Sequence, residues 1–115
     1  MSKDFRIELS KKEKIDAFRR MPLQVGAYVL SIQCSKVHNC TPPINTSVYN
    51  YKTMEVAMYK DGKNVSVLTD EFFNDWEDKE DFADCYTLLL DIADNVPVEL
   101  IQSLIDYIYK KSLKW

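Results

Sequence analysis

The residues best suited to chemistry are the three cysteines and the single histidine. Three of the four fall within seven residues, as Cys34-Ser-Lys-Val-His38-Asn-Cys40, and Cys85 lies in the second half of the chain. Thiolate and imidazole are the preferred ligands of zinc, and a structural site takes four of them in a tetrahedron. The chain therefore holds one possible Cys₃His set, with Asp84 beside Cys85 as a fallback oxygen ligand. The local spacing, Cys-x₃-His-x-Cys, differs from the common Cys-x₂-Cys knuckle. In an extended segment His38 and Cys40 point to the same side, and a turn over Ser35 to Val37 would bring Cys34 round to join them. Four protein ligands leave no open position for water, so the expected zinc is structural. It would tie the loop 34–50 to the segment around Cys85 and so link the two halves of the fold. Against this stands a plainer reading: free cysteines often pack as small apolar side chains. A redox role is the third possibility. An odd count speaks against a disulfide framework.

The second feature is the segment Thr69–Tyr86, TDEFFNDWEDKEDFADCY, in which Phe72, Phe73, Trp76, Phe82 and Tyr86 are set among carboxylates. One reading makes it a solvated acidic face whose aromatic rings enter the core. The other makes it a docking surface for a basic groove, with Asp75, Trp76, Glu77, Asp78, Glu80 and Asp81 as the contact residues. Carboxylates would attract such a partner at long range, and partly exposed aromatic rings would anchor it. The acids could also pair for catalysis or bind magnesium, but no EF-hand pattern with its glycine is present.

Little else points to catalysis. A Ser-His-Asp or Cys-His nucleophile needs a free histidine as base, and the only histidine is His38. With Gly26 and Gly62 as the only glycines, the chain has no phosphate-cradling loop and no dinucleotide fingerprint. The chain is read as a non-enzyme.

The whole chain of 115 residues is expected to form one domain, 1–115, with a net charge of -3. That balance argues against a general affinity for nucleic acid or membrane surfaces. The charges are segregated. Residues 1–20 hold seven basic and four acidic side chains, whereas residues 70–94 hold ten acids and one lysine. The uncharged run Met21–Ser35 is too short and too polar to span a bilayer. The start MSKDFRIELSKK lacks the apolar stretch of a secretion signal, so a cytoplasmic location is expected.

The elements that would position these residues follow from local pattern. Ser10-Lys-Lys-Glu13 has the form of a capping box, which predicts a short helix over about 10–20, stopped by Pro22. Val25 to Gln33 is β-branched and aromatic and reads as one mostly buried strand. Residues 34–50 read as loop. Thr53–Lys60 and Asn64–Leu68 flank Asp61-Gly62, a hairpin signal. Glu71–Glu80 reads as a short helix or an irregular segment, and residues 82–92 fit helix or strand equally. Pro97 opens a helix to about Lys111, with Val98, Ile101, Leu104, Ile105 and Ile108 as its apolar stripe. The expected fold is α+β: a small antiparallel β-sheet of about three strands with helices packed on one face, and a structural zinc site.

Taken together, a small acidic domain carrying SIQCSKVHNCTPP followed by YKTMEVAMYKDGK resembles small bacteriophage and prophage proteins. Among these are the anti-CRISPR inhibitors, some of which act on the RNA-guided nuclease of type II systems. The resemblance implies a stoichiometric inhibitor that binds the host effector nuclease and hinders loading of target DNA. Some such inhibitors contain zinc, which is compatible with Cys34, His38, Cys40 and Cys85. Two alternatives differ in class. One is an acidic DNA mimic or regulatory phage protein acting on another host nucleic-acid-binding protein. The other is a small metal-dependent hydrolase.

Overall fold

Met54, Val56 and Met58 recur at every second position of Thr53–Lys60, so one side of this strand, β3, enters the core. The sheet is built around it. Along one edge runs β2 (Tyr28–Gln33), antiparallel, in a register that sets Leu30 against Met58 and Ile32 against Val56. The other edge is shared. Lys63–Val65 (β4) pairs with its last residues, and Ala93–Pro97 (β5) with its first. A three-residue strand, β1 (Leu23–Val25), completes the sheet outside β2. The computed structural model describes residues 3–87 and 91–113, and within them the fold is α+β with five antiparallel strands rather than about three.

The two extra strands have separate causes. The run Val25–Gln33 is not one strand. It is interrupted at Gly26-Ala27, where Gly26 takes φ +57° and the chain reverses so that Val25 faces Tyr28. Such a turn needs a left-handed residue, and glycine supplies it without strain. β5 lies in a polar stretch, Ala-Asp-Asn-Val-Pro, with no strand-like alternation in its sequence. Its pairing is set by tertiary contact instead. The register slips between Met54 and Val56, and the extra residue is taken up at Asn95, φ +50°. Asparagine tolerates the left-handed region better than most residues. The Asp61-Gly62 hairpin forms, with both residues at positive φ and Lys60 facing Lys63, but its second arm is Lys63–Val65 rather than Asn64–Leu68, the chain turning at Val67–Thr69.

The first helix forms earlier than the capping box implied. It is α1 (Phe5–Lys11), capped by Asp4, whose carboxylate accepts from the Arg6 amide and holds the Arg6 guanidinium at 2.7 Å. Phe5 and Leu9, one turn apart, are its buried contacts. Ser10 is inside this helix and donates to the Ile7 carbonyl at 2.7 Å. Residues 12–20 are an open loop closed by a bridge between Lys14 and Arg20, with Ile15 59% exposed. A helix there would have had no core to face.

Pro97 does open a long helix, α3 (Val98–Ser112), and Ile101, Leu104, Ile105 and Ile108 are buried along it. Between β4 and β5 come one 3₁₀ turn at Glu71–Phe73 and the short α2 (Lys79–Ala83). The stretch left open at 82–92 is neither one helix nor one strand. Residues 82 and 83 close α2, Tyr86 forms an isolated bridge to Ala93, and residues 88–90 lie outside the described residues.

Candidate functional site

The loop after β2 carries Cys34, His38 and Cys40. Ser35 and His38 close a turn, with the His38 amide donating to the Ser35 carbonyl at 3.2 Å. Ser35 Oγ accepts from the Val37 amide and shares a 2.7 Å hydrogen bond with His38 Nδ1. A serine beside a histidine is the pairing that activates nucleophiles. Ser35 is only 3% exposed, however, and its hydroxyl is spent on the turn itself. Cys34 and Cys40 are buried in the core, and the Cys40 thiol donates to the Ser35 carbonyl at 3.2 Å. Burial pushes the Cys34 thiol up to about 11, against the opposing charge of Arg20, and burial likewise raises Cys40. With no metal bound, both are neutral thiols at neutral pH.

The expected zinc set does not assemble in this geometry. Among the described residues, no three His, Cys, Asp or Glu side chains stand together in a group that could hold a metal ion. Cys85 is half-buried at the end of α2, where its thiol donates to the Asp81 carbonyl at 3.6 Å. Burial, with Asp84 and Asp81 adding to it, raises its pKa as well. The link that zinc was expected to make is nonetheless present, and main chain makes it. Two successive amides at the bulge of β5 diverge: Asp94 donates to the Cys85 carbonyl at 2.8 Å, and Asn95 to the Asn39 carbonyl at 2.9 Å. Asn95 Oδ1 accepts from the hydroxyls of Thr41 and Thr53 as well. The cysteine-histidine loop and the Cys85 segment are thus joined through one strand. The Asn39 amide donates to Glu55 Oε2, which seats the loop on β3.

The acidic segment divides its side chains cleanly. Phe73, Trp76 and Phe82 are buried, and Phe72 and Tyr86 half-buried. With Tyr28 and Tyr107 they form one aromatic cluster whose neighbouring centroids lie 5.1 to 6.3 Å apart. Trp76 is therefore not a surface anchor: it is 5% exposed, because its indole fills the gap between Phe73, Phe82 and Tyr107. Its Nε1–H donates to Ser103 Oγ at 3.0 Å, and Ser103 donates in turn to Asp78 Oδ2 at 2.6 Å. Asp78 is thereby tied to α3, and Asp70 accepts from the Tyr28 hydroxyl at 2.6 Å. Asp75, Glu77, Glu80 and Asp81 remain exposed. None of them is in an ion pair among the described residues. Asp78, Asp81, Asp84 and Glu99 line one shallow groove together with Cys85 and Leu100. The sequence did not signal the contribution of Glu99, which α3 brings to the carboxylates of α2.

Comparison with protein families, curated proteins and solved structures finds no match. No helix among the described residues is long and apolar enough to cross a membrane.

Proposed function

We propose that the protein acts by stoichiometric binding, presenting the carboxylates of residues 75–84 to a basic surface of a nucleic-acid-handling protein. The anti-CRISPR type of inhibitor is the reading that fits, with a type II effector nuclease as the partner. One observation carries it. The aromatic half of the segment is locked into the core, so Asp75, Glu77, Glu80 and Asp81 are held outward on a packed base, none of them in an ion pair among the described residues. A surface ordered in advance loses little conformational entropy on binding, and unpaired charge speeds encounter with a groove that holds phosphates. The reading differs from the sequence expectation in two ways. Trp76 supports the surface rather than touching the partner, and main-chain hydrogen bonds through β5 already tie the two halves of the fold.

The test mixes the protein with the nuclease and its guide RNA, then follows cleavage and co-elution. Inhibition with a one-to-one complex is expected. Reversing Asp75, Glu77, Glu80 and Asp81 to lysine is expected to weaken the complex and flatten its salt dependence. Unchanged cleavage with no complex rejects the nuclease. If another DNA-binding protein is captured and is sensitive to the same four reversals, the DNA-mimic alternative holds instead. Metal-dependent turnover lost on neutralising the acids would point to the hydrolase. Elemental analysis finding about one zinc per chain would add a structural metal at Cys34, His38, Cys40 and Cys85 to this reading.

A further inference from the structure

On a different part of the surface, α1, the outer edge of β1 and α3 enclose a groove of about 880 Å³. Its floor is apolar, with Leu23 and Val25 from the strand and Ile105 from the helix. Tyr109, 51% exposed, and Leu113, 83% exposed, stand at its α3 side. None of its lining residues belongs to the acidic segment.

The edge of β1 has unmet hydrogen-bonding capacity. Across the two-residue turn, Val25 faces Tyr28 as the closing hydrogen-bonded pair. In an antiparallel ladder such pairs alternate with non-bonded ones, so the next pair, Gln24 with Val29, is non-bonded. The Gln24 N–H and C=O therefore point away from β2, and no loop or turn main-chain group bonds to either among the described residues. The Gln24 side chain bends back instead, donating to the Gly26 and Tyr28 carbonyls. An edge of this kind, beside an apolar groove with a helix as its far wall, is the arrangement in which an extended peptide is added as a strand.

Charge selects among occupants. Two acids line the groove: Glu8 lies 3.7 Å from Lys11, and Asp106, which accepts from the neutral Gln102 amide, is the one carboxylate set against three lysines. Lys3, Lys12 and Lys110 line it without an ion pair among the described residues. A second copy paired edge to edge about a twofold would set these lysines against their own counterparts, which disfavours it. A helix would leave the Gln24 amide and carbonyl unmet.

We propose that this groove binds an extended segment of another protein, apolar at alternating positions and flanked by acidic residues, as a sixth strand beside β1. Alternate side chains would enter between Leu23, Val25 and Ile105 while the acids meet the lysines.

The probe is a displayed random heptapeptide library, panned against the full chain immobilised through a biotin tag. Selected peptides are expected to alternate apolar residues and to end in Asp or Glu. Gln24→Pro removes the outward amide at an edge position where proline is tolerated, and it is expected to weaken binding tenfold or more. Gln24→Ala, which loses only the side chain, is expected to change binding less than threefold. Lys12→Glu with Lys110→Glu should again cost tenfold or more, as should methylating the central amide of the peptide. Circular dichroism confirms that each variant is folded. No enrichment over bare beads overturns the proposal, as do basic or helical selected peptides. Affinity insensitive to Gln24→Pro in a folded variant also overturns it. A dimer in sedimentation that Gln24→Pro dissolves would give the groove to a second copy and overturn it too.

Discussion

The Asn95 amide donates to the Asn39 carbonyl at 2.9 Å from a backbone held at φ +50°, so one left-handed residue in β5 anchors the cysteine-histidine loop. Two properties of Asn95 are in use, its tolerance of that conformation and its Oδ1, which accepts from Thr41 and Thr53. Asn95→Ala loses both and is expected to cost about 2–3 kcal/mol in urea denaturation. Asn95→Gly keeps the conformation and loses the acceptor, for about 1 kcal/mol. Equal losses would show that backbone conformation is not what Asn95 supplies.

Ser103 is both acceptor for Trp76 and donor to Asp78, and all three sit at the junction of α3 with the acidic segment. Ser103→Ala leaves an indole N–H and a carboxylate without partners, and is expected to destabilise by about 1–3 kcal/mol. Trp76→Ala empties a buried site and should cost about 3–5 kcal/mol. Both are read from denaturant midpoints. If charge reversal at Asp75 and Glu77 costs as much stability as Ser103→Ala, the exposed carboxylates are structural after all.

The two glycines should respond differently to alanine. A Cβ at Gly26 would lie 2.7 Å from Ser112 Oγ and 3.3 Å from Ile108 Cγ2, on a backbone at φ +57°. At Gly62, φ +77°, it would meet nothing. Gly62→Ala is expected to cost about 1 kcal/mol from conformation alone, and Gly26→Ala about 1–2 kcal/mol more, since Ile108 is buried. Thermal melts of the two variants side by side decide this.

Stability should fall in alkali. Burial raises the pKa of Cys34 from 9.0 to about 11, and raises Cys40, Tyr51 and Tyr86 as well. Tyr28 moves up too, through burial and its hydrogen bond to Asp70. Each group keeps its proton in the fold longer than in the unfolded chain. The stabilisation is therefore full below about pH 9 and is lost as the pH rises through 9 to 11. Cys34 accounts for about 2–3 kcal/mol of that loss. Urea midpoints should be flat near pH 7–8 and drop above 9, with a shallower drop in Cys34→Ala. An unchanged slope in that variant would refute the assignment to Cys34.

The parts of the fold legible in the sequence are those whose local signal agrees with their tertiary role. Asp61-Gly62 makes its hairpin, and the stripe from Ile101 to Ile108 makes α3. The α1 boundary misled because Ser10 and Glu13 have capping chemistry while the buried pair, Phe5 and Leu9, lies upstream. Gly26-Ala27 is a weak turn signal inside a continuous apolar run, so the pattern predicts one strand where two exist. β5 could not be read at all, because its partners Thr53, Met54 and Val56 are distant and four of its five residues, Ala, Asp, Asn and Pro, are depleted in strands. At the candidate site, the clustering of Cys34, His38 and Cys40 was real. In the structure Cys34, His38 and Cys40 share one buried turn, an arrangement that spacing alone does not distinguish from a ligand set. The composition of the acidic segment is plain in the sequence. Which of its aromatic rings face inward depended on α3, which lies beyond any local window.

The sharing of one edge of β3 between β4 and β5 has a consequence in time. β4 follows β3 through a two-residue turn, but β5 arrives roughly forty residues later. During synthesis at about 5–20 residues per second, the first half of that edge waits some seconds for its partner. Over that interval the nascent sheet carries an open hydrogen-bonding row beside Met54 and Val56. The pairing of Ala93–Pro97 is the event that closes it.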